Sequence, residues 1–166
     1  AIELQTLPAD EAHVLLQPFA LSNYALAVPP SGSEFTISCD LVDVEGGALD
    51  FRLYSIAPHY HDLGEGMTVE AFDAGGRGDL VYEVDRKIAG EPLGAILATP
   101  YDMTASRGLR FTCRYNNPTA NTVGFSSGAA GEMCVVFAFT DSRYKWIGGS
   151  LPGSEITPLP SGETKS

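Results

Sequence analysis

Leu109-Arg110-Phe111-Thr112-Cys113-Arg114-Tyr115-Asn116 alternates without a break. Leu, Phe, Cys and Tyr fall on one side of the alternation, and Arg, Thr, Arg and Asn on the other. A period of two is the mark of an extended strand with one face buried. The same short runs recur along the chain: "AHVLLQPF", "EFTISCDLVDV", "ALDFRLYSIAPH", "GMTVEAF", "DLVYEVD", "LGAILA" and "EMCVVFAFT". Gly, Pro, Asn and Asp punctuate between them, and 18 glycines and 11 prolines supply the turns. The best helix candidate is "LPADEAHVLLQ", and its amphipathic pattern is weak. The expectation is an all-β chain, an antiparallel, jelly-roll-like β-sandwich of about eight strands.

At 166 residues the chain has the length of one domain. From Gly148 it turns into "GGSLPGSEITPLPSGETKS". The expected division is therefore a domain over 1–147 and a Pro/Gly/Ser-rich C-terminal tail over 148–166. The net charge of −11 repels phosphate backbones and anionic lipid heads. Neither nucleic acid nor a membrane surface is an expected partner. No run approaches the roughly 20 apolar residues of a spanning helix, so no membrane insertion is expected. The opening "AIELQTLPADEAHV" shows no signal-peptide pattern and no initiator Met, which is compatible with a processed, exported form.

Two of the three histidines stand one residue apart in Pro58-His59-Tyr60-His61-Asp62-Leu63-Gly64. On an extended strand, positions i and i+2 face the same way, with Cα atoms about 6.6 Å apart. Both imidazoles could thus converge on one ion at the strand's end. The alternative is a pair of surface histidines, one hydrogen-bonded to Asp62. The third histidine, His13, is read as a structural or surface residue. Two ligands hold a transition metal poorly, so a third is needed. Met133 opens an apolar strand after the loop "GFSSGAAG". A thioether there is either core packing or a soft ligand which, beside two imidazoles, suits Cu(I) and tolerates Cu(II). Zinc would call for Cys, His or carboxylate.

Cys39, Cys113 and Cys134 are an odd set, so at least one is unpaired or pairs with another chain. Phe35, Ile37, Cys39 and Leu41 share one strand face, which makes Cys39 a buried, inert thiol. Other motifs carry less. "GFSSG" (124–128) matches G-x-S-x-G but is followed by a loop and a strand, not a helix. Arg77-Gly78-Asp79 is read as a hairpin turn, and Met103 as packing.

H-x-H, then "LRFTCRYN", a Gly-rich loop and Glu132-Met133-Cys134, in this order, resembles the copper type II, ascorbate-dependent monooxygenases. The likeness is to their second domain, which carries the oxygen-activating copper, and covers roughly residues 51–140. Carried over residue by residue, it implies His59, His61 and Met133 as ligands of one copper per chain. It also implies a Cys113–Cys134 disulfide. Such a bridge would close a loop of about twenty residues, stabilise by about 3 kcal/mol and fix Met133 beside it. It would point to a periplasmic or extracellular protein.

The chain departs from that family in two ways. His13 is the only histidine left for a second, electron-transferring copper. The substrate-gripping positions are replaced by Ala57, Val123, Val135 and Phe137, which disfavours glycine-extended peptides. Three functions remain in view. The first is a mononuclear His2Met copper protein acting in copper binding, transport or electron transfer, with a redox partner protein or an ascorbate-like reductant. The second is the oxygen-activating domain of a monooxygenase that hydroxylates a C–H bond with electrons from outside. The third is a metal-free β-sandwich interaction module.

Overall fold

The computed structural model describes residues 8–150 and the backbone of Thr164–Lys165. After a 3₁₀ turn at Ala9–Glu11 come β1 (Gln17–Asn23), β2 (Ala27–Val28) and β3 (Ser31–Asp40). A one-turn helix α1 (Leu41–Glu45) leads to β4 (Arg52–His59), β5 (Gly64–Phe72) and β6 (Gly78–Val84). Two short strands, β7 (Lys87–Ile88) and β8 (Glu91–Pro92), precede β9 (Ala95–Asp102) and β10 (Gly108–Asn117). The last are β11 (Val123–Gly124), β12 (Val135–Thr140), β13 (Lys145–Ser150) and β14 (Thr164–Lys165).

The fold is an all-β sandwich. One sheet has the order β14-β13-β1-β12-β4-β9 and the other β3-β10-β5-β6. β10, the alternating strand, lies inside the second sheet, antiparallel to β3 and β5. Its inward face, Leu109, Phe111, Cys113 and Tyr115, is at most 2% exposed. Between the sheets Phe19, Phe51 and Trp146 form a tilted aromatic cluster with centroids 5.7–6.5 Å apart. Burying such side chains is the main source of the fold's stability.

The sequence expectations need three adjustments. The first concerns the strand "EFTISCDLVDV", which stops at Asp40. The Asp40 carboxylate accepts the Asp43 N–H at 3.1 Å and caps α1, so Leu41 is helical, not a strand residue. Gly46 ends the helix with φ +75° and its N–H on the Val42 carbonyl. Phe35, Ile37 and Cys39 do share the inward face, and Cys39 is a free, fully buried thiol.

The second adjustment is at the expected tail. β13 carries the sheet past residue 147 to Ser150, parallel to β1. It is the ninth strand of six or more residues, where about eight were expected. Gly149 belongs there because a Cβ at that position would strike the Ser22 carbonyl oxygen. The rest of the tail, 151–163 and 166, lies outside the described residues.

The third is at the start, where the weak helix candidate yields only the 3₁₀ turn at Ala9–Glu11. Met103 is fully buried, as expected of packing. The turn between β5 and β6 ends at Arg77, and Asp73 stabilises it by accepting the Gly75 and Arg77 N–H groups at 2.9 and 3.0 Å, while Gly78 and Asp79 of the expected turn already belong to β6. Among the described residues no helix is long and apolar enough to cross a membrane.

Candidate metal centre

His59 is the last residue of β4, paired with Val135 across the ladder to β12. Pro58 and Tyr60 are buried, while His59 and His61 are half-buried. Strand alternation therefore sends Tyr60 inward and both imidazoles to one side. The two rings meet edge to face, with centroids 5.2 Å apart at 81°.

The His61 Nδ1 lies 2.8 Å from the Gly131 carbonyl oxygen. A carbonyl only accepts, so Nδ1 carries a proton, and in the neutral imidazole Nε2 then keeps its lone pair. This is how a second hydrogen bond selects the tautomer of a metal-binding imidazole. The ring does not turn to Asp62, the partner considered on the sequence. His59 Nδ1 stands 3.7 Å from the exposed Glu91 carboxylate, a loose ion pair available when the ring is protonated.

Sequence reasoning quoted Glu132 within its motif but gave it no role. It is 1% exposed, and its carboxylate accepts three backbone N–H groups. These are His61 at 2.9 Å, Leu63 at 2.8 Å and Met133 at 3.2 Å. One buried anion thus ties the turn after β4 to the segment before β12, which begins at Val135 and not at Met133 as the sequence suggested. A carboxylate with several N–H donors is well stabilised despite its burial. The available signal was an acidic residue just ahead of an apolar strand.

The backbone around Met133 is held from several directions. The Tyr115 hydroxyl donates to the Met133 carbonyl at 2.6 Å. Burial, then the nearby Glu132 charge, pushes the Tyr115 phenol well up, so it remains a donor. The Asn23 N–H donates to the Cys134 carbonyl at 2.9 Å. The Cys113–Cys134 disulfide is present, with Cα atoms 6.0 Å apart. The Met133 side chain is half-buried.

Among the described residues, no three or more His, Cys, Asp or Glu side chains gather as a metal-ligand cluster. A metal on the histidine pair would thus need a third protein ligand of another residue type. Of the copper set that the sequence resemblance implies, the two imidazoles are brought together. One has its outward nitrogen preset, and the Met133 backbone is fixed to His61 through Glu132.

The neighbouring face is apolar. The ladder registers line up Ile147, Ala20, Phe137 and Ala57 in one row across β13, β1, β12 and β4. The next row runs Pro18, Phe139, Ser55 and Ile96. Phe137, Phe139 and Ile96 are 43%, 52% and 88% exposed. The Phe137 ring centroid is 6.2 Å from that of His59. Ala57 and Phe137 are thus direct neighbours, whereas Val123 sits apart on β11, paired with Val28. His13 is exposed in the segment before β1, outside this centre. No family model matches the chain, and it has no match among curated proteins.

Proposed function

We propose that the chain is a mononuclear copper-binding protein that uses His59, His61 and Met133, and that it acts in copper binding, transport or electron transfer. The observation that carries this reading is the hydrogen bond from His61 Nδ1 to the Gly131 carbonyl, which frees Nε2 beside a second imidazole. Copper held there would supply a one-electron Cu(I)/Cu(II) couple, for which a mixed imidazole and thioether set is suited. Glu132 fixes the spacing between the His61 backbone and the Met133 backbone. The Cys113–Cys134 bridge supports an oxidising compartment, the periplasm or the cell exterior. The partner would be a redox protein or an ascorbate-like reductant.

The test is titration of Cu(I) and Cu(II) into metal-free protein, then into Met133→Ala and His59→Ala. Each variant should weaken binding by at least about tenfold, roughly one lost ligand bond. Unchanged affinity in both would sink the site.

A second reading is favoured by the exposed apolar rows that end beside His59. In this reading the chain is the oxygen-activating domain of a monooxygenase, similar to the copper type II family, acting on an apolar C–H substrate. Exposed contiguous apolar surface commonly marks a binding face. The copper-loaded protein would be supplied with ascorbate and O2. Oxygen uptake matched by a hydroxylated product supports this reading, and uptake yielding only peroxide rejects it.

A further inference from the structure

The rings of His59 and His61 are held differently. The Gly131 carbonyl fixes His61 through Nδ1 at 2.8 Å, whereas the His59 ring makes no hydrogen bond among the described residues. The group that faces its Nδ1 is the Glu91 carboxylate, 3.7 Å away. Glu91 is 73% exposed, and so open an ion pair contributes little to stability. Its place is nevertheless fixed from both sides.

Glu91 opens β8, straight after the two-residue turn of the β7–β8 hairpin. Ala89 and Gly90, with φ +53° and +89°, make that turn, the left-handed pair that a tight hairpin needs. On the first arm the Lys87 ammonium donates to the His61 carbonyl and lies over the Tyr60 ring, 5.1 Å from its centroid. Lys87 pairs with Pro92, which is buried. Beyond the second arm the Leu93 carbonyl accepts the Tyr82 hydroxyl at 2.7 Å. Gly94 follows, so close to β4 that a Cβ there would meet the Ile56 carbonyl oxygen at 2.9 Å. The hairpin is thus fastened to the histidine segment at Lys87 and to the sheet at Gly94. The tight turn between them carries Glu91 to His59.

We propose that Glu91 is a positioning residue for His59, accepting its Nδ1–H and leaving Nε2 for the metal. A neutral imidazole that ligates through one nitrogen carries its proton on the other, and that proton calls for an acceptor. For His61 the acceptor is a backbone carbonyl; for His59 the Glu91 carboxylate is the group in place. A small turn of the exposed Glu91 side chain closes 3.7 Å to the about 2.8 Å of a charge-assisted hydrogen bond. With both rings held through Nδ1, the two Nε2 atoms are the pair left to ligate. The purpose of this orientation rests on the copper reading, whereas the orientation itself is measurable in metal-free protein.

The experiment compares native, Glu91→Gln and Glu91→Ala chains by long-range proton–nitrogen NMR of the imidazoles. The protein is metal-free and at pH 8.5, above the ordinary histidine range of about 6.5. Cu(I) titration of each chain follows. Glu91 is exposed, so both variants should fold as the native chain does. In the native protein and in E91Q, which keeps an acceptor oxygen, His59 should be protonated mainly at Nδ1. In E91A the proton should move to Nε2, the tautomer that a free histidine side chain prefers. His61 should stay protonated at Nδ1 in all three, because Gly131 holds it. E91A should weaken Cu(I) binding at least about tenfold, the usual effect of losing such a partner, and E91Q by less than about threefold. A native chain that binds no copper sinks the copper reading, and the tautomer comparison then decides the role of Glu91 by itself. Two results overturn the proposal. One is a His59 tautomer, or in a copper-binding chain a Cu(I) affinity, that E91A leaves unchanged. The other is an equal loss of affinity in E91Q and E91A, which would assign the effect to charge alone.

Discussion

The Glu132 carboxylate accepts the His61 backbone N–H at 2.9 Å, although 71 positions separate the two residues. The same group holds Leu63 and Met133, so one side chain decides how the histidine turn sits against β12. Glu132→Ala would leave three N–H groups without their acceptor in a water-poor site. A loss of about 3 kcal/mol or more is expected in urea unfolding. Glu132→Gln keeps one carbonyl oxygen and should lose about half as much. Amide exchange at His61 and Leu63 should speed up in both variants. An alanine variant within about 0.5 kcal/mol of native would show that the clamp is not energetically important.

The Cys113–Cys134 bridge joins β10 to the residue just before β12, across a sequence separation of 21. Its removal frees the unfolded chain from a closed loop, which is worth about 3 kcal/mol in the chain-entropy account. The Cys113→Ala/Cys134→Ala variant should therefore unfold at lower urea concentration, and a reductant should shift the native protein but not the variant. If copper binds as proposed, its affinity should fall as well, since Cys134 is next to Met133. Equal unfolding midpoints with and without reductant would remove the bridge's structural role.

Gly108 opens β10 opposite Asp40 on one side and Phe72 on the other. A Cβ there would collide with the Cys39 carbonyl oxygen and lie 2.9 Å from the Phe72 ring. Backbone cannot yield as a flexible side chain can. Gly108→Ala should destabilise by about 2 kcal/mol or more, beyond the usual small strand effect of replacing glycine. A thermal melt decides it, and an unchanged midpoint would mean that the two strands can part freely.

Period two was legible wherever one sheet face is buried and the other wet, as in 109–116. It was not legible in β13, whose "IGGS" has the composition of a linker. Gly149 is there for close approach to β1, a tertiary demand that propensity does not reveal. The helix at Leu41 was hidden because its residues, Leu-Val-Asp-Val-Glu, are equally at home in a strand. The Asp40 cap decides it, through a bond only three residues long. At the candidate metal centre, His59 and His61 were visible from spacing alone. Glu132 was not, because its partners are backbone amides from a distant turn, and backbone groups leave no trace in the residue pattern. The place of Glu91 beside His59 was hidden for a related reason: it belongs to the packed structure.

Cys39 offers a prediction in pH. Burial pushes its thiol up from 9.0 to about 12. Between those values the unfolded chain has lost the thiol proton while the folded chain keeps it. With fewer protons bound in the unfolded state, stability falls as pH rises, by up to about 1.4 kcal/mol per unit. The contribution is complete below about 9, where both states are protonated. Other groups titrate in this range, so the native protein must be compared with Cys39→Ala. The difference in urea stability between the two should shrink or reverse from pH 8.5 to pH 10.5, roughly within that window. An aromatic disulfide reagent at pH 8 should label no thiol until the protein unfolds, because the thiol is both neutral and covered. Rapid labelling of the folded protein, or a pH-independent difference between the two chains, would contradict the burial of Cys39.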